Sequence, residues 1–132
     1  MTHHLLVTTD RSTLTDLSLA IEARGGTISW AGSGHQALAI LSQTNADLIV
    51  ADETLDDMPG LELIKRVIAL NPMINCAAVS SLSQAAYHEA SEGLGLLMQL
   101  RPNPDGAEGE RLMANLNQIL QLTPTKRQGT SR

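Results

Sequence analysis

Residues 46–67, which read ADLIVADETLDDMPGLELIKRV, decide the fold of this chain. A short and almost wholly apolar run, residues 47–51, ends at Asp52, and an acid-rich loop follows it. Pro59 and Gly60 then open a helix with an apolar face. A strand that is apolar on both faces is typical of a parallel sheet, and the carboxyl ends of such strands carry the chemistry of open α/β folds. The stretch therefore predicts a parallel α/β sheet with Asp52 at its functional edge.

Strand and helix patterns alternate on either side of this stretch. Apolar runs predict five strands, at residues 5–7, 27–31, 47–51, 74–79 and 96–100. Apolar residues at three- and four-residue intervals predict a helix after each strand, the fourth at residues 84–92 and the last at residues 108–120. Gly25-Gly26 ends the first helix, and Asn71-Pro72 ends the third. Five βα units with short connections indicate the doubly wound α/β class, with helices on both faces of a five-stranded parallel sheet.

Length and composition fit a single folded domain. The chain has 132 residues, of which 42% are hydrophobic, so it can bury a full core. We assign the domain to residues 1–122. Residues 123–132, TPTKRQGTSR, contain no apolar anchor, so we expect a flexible tail or the start of a linker there.

Charge and cysteine content argue against several functions. The formal net charge is -5 and no basic stripe precedes the tail, which argues against direct nucleic-acid binding. Cys76 is the only cysteine, so the chain can form neither an intrachain disulfide nor a cysteine-based zinc site. No apolar run approaches the length of a membrane span and the N-terminus lacks a signal-peptide pattern, so we expect no membrane association and a cytoplasmic location.

The ends of four expected strands bring polar residues to one edge of the sheet. These are Thr9-Asp10, Asp52, Ser80-Ser81 and Arg101-Pro102. In order and spacing, the set resembles the receiver domain of two-component response regulators over residues 5–120, which implies a flavodoxin-like (β/α)5 fold. That family carries an acidic pair after the first strand, a phosphorylatable aspartate after the third, a serine or threonine after the fourth and Lys-Pro after the fifth. The helix start Gly60-Leu61-Glu62 matches the family as well.

The resemblance implies a role for each residue at this edge. Asp52 would accept a phosphoryl group and bind Mg²⁺, with Asp10 as a second metal ligand and the backbone carbonyl of Thr54 as a third. Ser80 would hydrogen-bond a phosphoryl oxygen, and Arg101 would pair with the phosphoryl group. With only two carboxylates as ligands, we expect weak Mg²⁺ binding. The implied partner is a histidine kinase or a phosphotransfer protein, and the fourth helix and fifth strand would form a homodimer or partner face.

The chain also departs from the family pattern. The acidic pair is reduced to Thr9-Asp10, or is absent if Thr8-Thr9 is the matching register. Arg101 replaces the lysine with a bulkier, planar cation. Met98 stands where the family has its switch aromatic, so the usual coupling between hydroxyl and ring cannot operate in its standard form.

These departures leave alternative functions open. The first is signal transduction by phosphoryl transfer to Asp52, without an enzymatic activity of its own. The second is a phosphorylation-independent pseudo-receiver that acts as a protein interaction module. A flavodoxin-like enzyme or nucleotide-binding protein is disfavoured, because the chain lacks a phosphate-binding glycine loop and only 2% of its residues are aromatic. The acids Glu53, Asp56 and Asp57 read as a solvated loop, although Glu53 or Asp56 could partly replace the missing carboxylate.

Overall fold

The computed structural model describes residues 2–122 as alternating strands and helices. The strands are β1 (His3–Val7), β2 (Thr27–Ala31), β3 (Leu48–Ala51), β4 (Asn75–Val79) and β5 (Gln99–Leu100). The helices are α1 (Thr15–Ala23), α2 (Gly34–Leu41), α3 (Gly60–Leu70), α4 (Gln84–Ala90) and α5 (Gly106–Leu122), and a 3-10 turn at Arg11–Leu14 precedes α1. The expected tail or linker at residues 123–132 lies outside the described residues.

The five strands form one parallel sheet in the order β2-β1-β3-β4-β5. Val7 of β1 is in register with Ala51 of β3, and Ala51 is in register with Ala78 of β4. The three inner strands therefore end at nearly the same level. This arrangement confirms the five-stranded, doubly wound α/β fold that the sequence predicts.

The core consists of two apolar clusters, one on each face of the sheet. Side chains alternate between the faces along a strand, so Leu5 and Ile49 enter the first cluster while Leu6 and Val50 enter the second. The first cluster is completed by α2 and α3 through Ala37, Leu63, Ile64 and Val67. The second is completed by α1 and α5 through Leu17, Ile21, Leu112, Met113 and Leu116. None of the helices within residues 2–122 combines the length and apolar character that a membrane span requires.

Helices α1 and α5 approach each other closely on the second face. Gly109 of α5 lies against Ala20 of α1, and a Cβ atom added at Gly109 would be only 2.6 Å from the Cβ of Ala20. Small residues at a helix crossing allow this close packing. The contact joins the first and last α-helices of the described residues, 2–122.

Several element boundaries differ from those that the sequence predicts, most clearly those of β5, α4 and α5. β5 covers Gln99–Leu100 instead of starting at residue 96. The chain leaves a turn at Gly93 and Gly95, which hold positive φ angles, and Leu97 donates one hydrogen bond to Cys76, but regular pairing with β4 begins at Gln99. α4 ends at Ala90, two residues before the expected end, where the turn that contains Gly93 begins. α5 begins at Gly106, and the Asp105 carboxylate accepts a hydrogen bond from the backbone N–H of Glu108 in its first turn.

Tyr87 of α4 is buried, with 6% of its surface exposed, and its hydroxyl lacks a hydrogen-bond partner within residues 2–122. Burial also raises the pKa of this phenol to about 12. An unpartnered buried hydroxyl carries a desolvation cost, so we expect Tyr87→Phe to raise the free energy of unfolding by about 1 kcal/mol. Urea unfolding monitored by Trp30 fluorescence measures the change. Tyr87→Leu should destabilise the protein by leaving a cavity, and a destabilised Phe variant would mean that the hydroxyl has a partner.

Candidate functional site

The carboxyl ends of four strands bring the candidate residues to one edge of the sheet. Thr8 follows β1, Asp52 follows β3, Ser80 follows β4 and Arg101 follows β5. The hydrogen bonds between β1 and β3 continue one residue past the end of β3: the N–H of Asp52 donates to the carbonyl of Val7 at 2.9 Å. The strand-end placement expected from the sequence is therefore present.

The carboxylate of Asp52 is half-buried and receives hydrogen bonds on both oxygens. Its Oδ2 accepts from the Thr8 hydroxyl at 2.6 Å, and its Oδ1 accepts from the backbone N–H of Glu53 at 2.8 Å. The Thr13 hydroxyl lies 3.2 Å from Oδ2, although it is nearer to the carbonyl of Asp10, at 2.9 Å. Hydroxyl and amide donors thus surround this carboxylate.

Thr8, and not Asp10, lies against Asp52. Thr8 is 3% exposed and follows directly on the Val7–Ala51 register pair, which places it beside Asp52 in the sheet. Asp10 is exposed, and its Oδ1 accepts from the backbone N–H of Ser12 at 3.0 Å and from its hydroxyl at 2.7 Å. These bonds, the hydroxyl first, hold the pKa of Asp10 below its ordinary value. Of the two registers that the sequence leaves open, the strand pairing supports Thr8-Thr9.

The residues around Asp52 do not supply the ligands that Mg²⁺ prefers. Mg²⁺ requires near-octahedral oxygen ligands, usually including one or two carboxylates. Asp52 contributes one carboxylate, already engaged by protein donors, while Asp10 caps the 3-10 turn and Thr54 lies exposed in a bridge to Pro59. Within residues 2–122 no group of three or more His, Cys, Asp or Glu side chains is arranged to hold a metal ion. The described residues therefore do not fit a Mg²⁺ site.

Ser80 and Arg101 follow β4 and β5, both on the same side of β3, and they lie in different environments. Ser80 is buried, with 4% of its surface exposed, and its hydroxyl oxygen accepts from the N–H of Leu82 at 3.1 Å. The backbone N–H of Arg101 donates to the buried carboxylate of Glu108 at 3.0 Å, while the Arg101 side chain is exposed. Ser80 is thus part of the tightly bonded edge, and Arg101 contributes a surface cation beside it.

Two acids of the loop after Asp52 make specific contacts that the sequence analysis missed. The Glu53 carboxylate accepts from the backbone N–H and hydroxyl of Ser81, at 3.0 and 2.9 Å. Asp57 accepts from the backbone N–H groups of His35 and Gly34, both at 2.9 Å, which lower its pKa to about 2. Asp56 and Asp57 are exposed, as expected for a solvated loop, but Glu53 and Asp57 are also bonded to specific donors. Asp57 thus binds the N-terminal N–H groups of α2, which starts at Gly34. No local sequence pattern indicates this contact, because at least 22 residues separate Asp57 from its partners.

The buried cysteine is structural. Cys76 of β4 is 2% exposed in the first core cluster, and burial raises the pKa of its thiol to about 12. A thiol with so high a pKa is unreactive at neutral pH.

This fold and its strand-end residues define a signalling domain of the receiver type. The chain belongs to the family described as "Response regulator receiver domain", whose model matches residues 5–101. Domains of this family are signalling modules of two-component systems. As a class they interact with histidine kinases or phosphotransfer proteins, and they typically bind Mg²⁺ at the phosphorylation site.

Several curated regulators are similar to part of the chain. It is 33% identical over 79 residues to the transcriptional regulatory protein ZraR of Salmonella typhimurium, a match that covers 60% of this chain and 18% of ZraR. It is 33% identical over 69 residues to the probable transcriptional regulatory protein TcrX of Mycobacterium tuberculosis, covering 52% of this chain and 30% of TcrX. The matched region is less than a third of either relative.

Solved receiver structures share the fold over nearly the whole chain. A CheY-like receiver domain protein from Methanospirillum hungatei has a TM-score of 0.80 at 20% identity, covering 92% of this chain and 98% of that one. The chemotaxis response regulator CheY4 of Vibrio cholerae has a TM-score of 0.71 at 19% identity, covering 92% and 98%. At this level of identity the likeness concerns the fold alone.

Proposed function

We propose that this chain is a receiver domain that signals as a protein interaction module, without metal-dependent phosphorylation of Asp52. The observation that carries the proposal is the contact between the Thr8 hydroxyl and Asp52, at the position where the family pattern has a carboxylate. A threonine at this position donates a hydrogen bond to Asp52. Unlike a carboxylate, it adds no negative charge that could bind a cation. Phosphoryl transfer to a carboxylate needs a divalent ion to neutralise charge on the transferring oxygens, so this site is poorly equipped for it.

Phosphoryl transfer to Asp52 from a histidine kinase or phosphotransfer protein is the second candidate. Its support is the position of Asp52 at the end of β3, half-exposed, with the buried Ser80 at the end of the neighbouring β4 and the Arg101 cation at the end of β5. In this version Asp52 and the Thr54 carbonyl would hold Mg²⁺ weakly, with Asp10 only after it leaves its capping position.

Incubation with acetyl phosphate and Mg²⁺, followed by intact-mass measurement, separates the two candidates. We expect no phosphoryl adduct on the wild-type chain and no Mg²⁺ binding tighter than roughly 10 mM by calorimetry, because a hard cation's affinity follows the number of charged ligands. An adduct on wild type that disappears in Asp52→Asn would establish the second candidate instead. If Asp52→Asn keeps the adduct and Asp56→Asn or Asp57→Asn loses it, the phosphorylated residue is Asp56 or Asp57 and not Asp52.

The double variant Thr8→Asp/Thr9→Asp tests the proposed cause directly. Adding two carboxylates beside Asp52 should strengthen Mg²⁺ binding at least about tenfold. The matched control, Thr8→Asn/Thr9→Asn, introduces side chains of the same size without charge and should leave Mg²⁺ affinity unchanged. Amide spectra of both variants check that the fold is retained. Equal Mg²⁺ affinities in the two variants would contradict the role assigned to the missing carboxylates.

The interaction surface in this proposal is the face formed by α4 and β5, as the family resemblance implies. A cleft of about 1170 Å³ lies along this face, and its walls include Tyr87 and His88 of α4, Gln99 of β5 and the neighbouring Met98 and Arg101. A second copy of the chain or a signalling partner would bind there. A cytoplasmic location, as expected from the sequence, is part of the proposal for either candidate.

A further inference from the structure

Two hydrogen bonds fix the backbone of Glu53, independently of the contacts of its side chain. Its N–H donates to Oδ1 of Asp52 at 2.8 Å, and its carbonyl accepts from the N–H of Gly60 at 3.0 Å. Both bonds lie within the connection between β3 and α3. The half-buried side chain therefore leaves this connection in a defined direction.

From this position the carboxylate crosses to the β4–α4 loop, residues 80–83. Its Oε2 accepts both donors of Ser81, the backbone N–H at 3.0 Å and the hydroxyl at 2.9 Å. The two residues are 28 positions apart in the sequence, and the strands that precede them, β3 and β4, are neighbours in the sheet. Two hydrogen bonds to one carboxylate oxygen fix the loop more firmly than either would alone.

The same loop is held from its other side by β5. Nε2 of Gln99 lies 3.2 Å from the carbonyl of Ser80 and 2.9 Å from that of Leu82. Two backbone carbonyls of the loop thus accept from Gln99, while the N–H and hydroxyl of Ser81 donate to Glu53. The loop leads directly into α4, whose first turn is capped by the Ser83 hydroxyl accepting from the N–H of Ala86 at 3.2 Å. We therefore expect a change in the loop to reach the start of α4.

We propose that Glu53 is a built-in anionic partner of the β4–α4 loop, which holds the loop and the start of α4 in one position without a phosphoryl group. The inference rests on the proposed function and deepens it, because it names what fixes the output face when Asp52 is unmodified. A phosphoryl group on Asp52 would present negative charge to this same loop, whereas the Glu53 carboxylate bonds to the loop without any covalent modification. Glu53 is a positioning residue, since it acts through Ser81.

Amide exchange with water, measured by NMR without metal or phosphoryl donor, tests the inference. In Glu53→Ala the Ser81 amide should exchange about fivefold faster than in wild type, because a partly exposed, charge-assisted hydrogen bond is lost. Chemical-shift changes should extend through residues 80–87. Amides of β2, on the far edge of the sheet, should keep their wild-type exchange rates, which shows that the effect is local and not global unfolding.

Two control variants separate the hydrogen bond from the charge. Glu53→Asp keeps the charge but shortens the side chain, so it should behave like Glu53→Ala. Asp56→Ala removes one charge from the same exposed loop and should leave the Ser81 amide unchanged. An unchanged Ser81 amide in Glu53→Ala would overturn the inference, as would equal effects of Asp56→Ala and Glu53→Ala. Phosphorylation of wild type would refute the proposed function and leave this measurement unaffected, so the two failures are distinguishable.

Discussion

Gly60→Ala is expected to lower the free energy of unfolding by about 3 kcal/mol or more, since overpacking against rigid atoms forces the backbone to move. A Cβ atom at position 60 would lie 2.1 Å from the carbonyl oxygen of Asp52 and 3.4 Å from the Cβ of Ala51. The oxygen belongs to the backbone and cannot rotate away. Gly60 thus allows α3 to begin directly against the end of β3. Urea unfolding measures the loss, and the amide shift of Asp52 should move with it.

Gly106→Ala is the matched control for this substitution. Gly106 opens α5, its φ angle is not positive, and a Cβ atom added there would meet no atom within 4 Å. We expect unchanged stability or a gain of up to about 1 kcal/mol, because alanine loses less backbone entropy than glycine on entering a helix. Similar losses at both positions would show that contact with Asp52 is not the cause at Gly60.

Thr8→Val is expected to lower the free energy of unfolding by about 1.5 to 2 kcal/mol at neutral pH. The substitution preserves the shape of the side chain and removes the hydroxyl that donates to Asp52 at 2.6 Å. Hydrogen bonds to charged groups contribute more than neutral ones, and the loss leaves a half-buried carboxylate with one donor fewer. Thr13→Val should cost less, because the Thr13 hydroxyl is nearer to the Asp10 carbonyl than to Asp52.

A double-mutant cycle with Asp52→Ala isolates this interaction. If the Thr8 hydroxyl acts through Asp52, Thr8→Val should cost less in the Asp52→Ala background, with a coupling free energy of about 1 kcal/mol or more. Additive effects would mean that Thr8 stabilises the fold through Asp10 instead, whose N–H lies 3.1 Å from the Thr8 hydroxyl oxygen.

The sequence predicts the fold well because its strongest patterns are local. Residues 48–51 are all apolar and all buried, and the helix that follows Pro59-Gly60 places Leu63, Ile64 and Val67 on one buried face. The turn from strand to helix at this point requires no distant information. The length of β5 is less predictable, because the apolar residues 96–98 read as strand although regular pairing with β4 begins only at Gln99.

The candidate site is predictable in position but not in contacts. Strand ends place Asp52 and Ser80 at one edge, which follows from parallel topology alone. The sequence does not determine which residue after β1 lies beside Asp52, because the Thr8-Thr9 and Thr9-Asp10 registers differ by one residue. Only the pairing of β1 with β3 in the structure distinguishes the two registers. The bond from Glu53 to Ser81 depends on two loops meeting across 28 residues, and neither loop carries a pattern that indicates the other.

The packing of α5 on α1 has a consequence for the order in which the molecule can fold during synthesis. One of the two core clusters requires Leu112, Met113 and Leu116 to cover Leu17 and Ile21, which are made almost a hundred residues earlier. The other cluster has all of its buried members once β4 has left the ribosome, and only the partly buried Leu94 and Leu96 are still to be added. Until nearly the whole domain has emerged, α1 is the only helix within residues 2–122 that covers the first of these faces of the sheet, the one that α5 completes. The nascent chain therefore exposes part of this apolar face, and we expect chaperone binding or premature aggregation to act there.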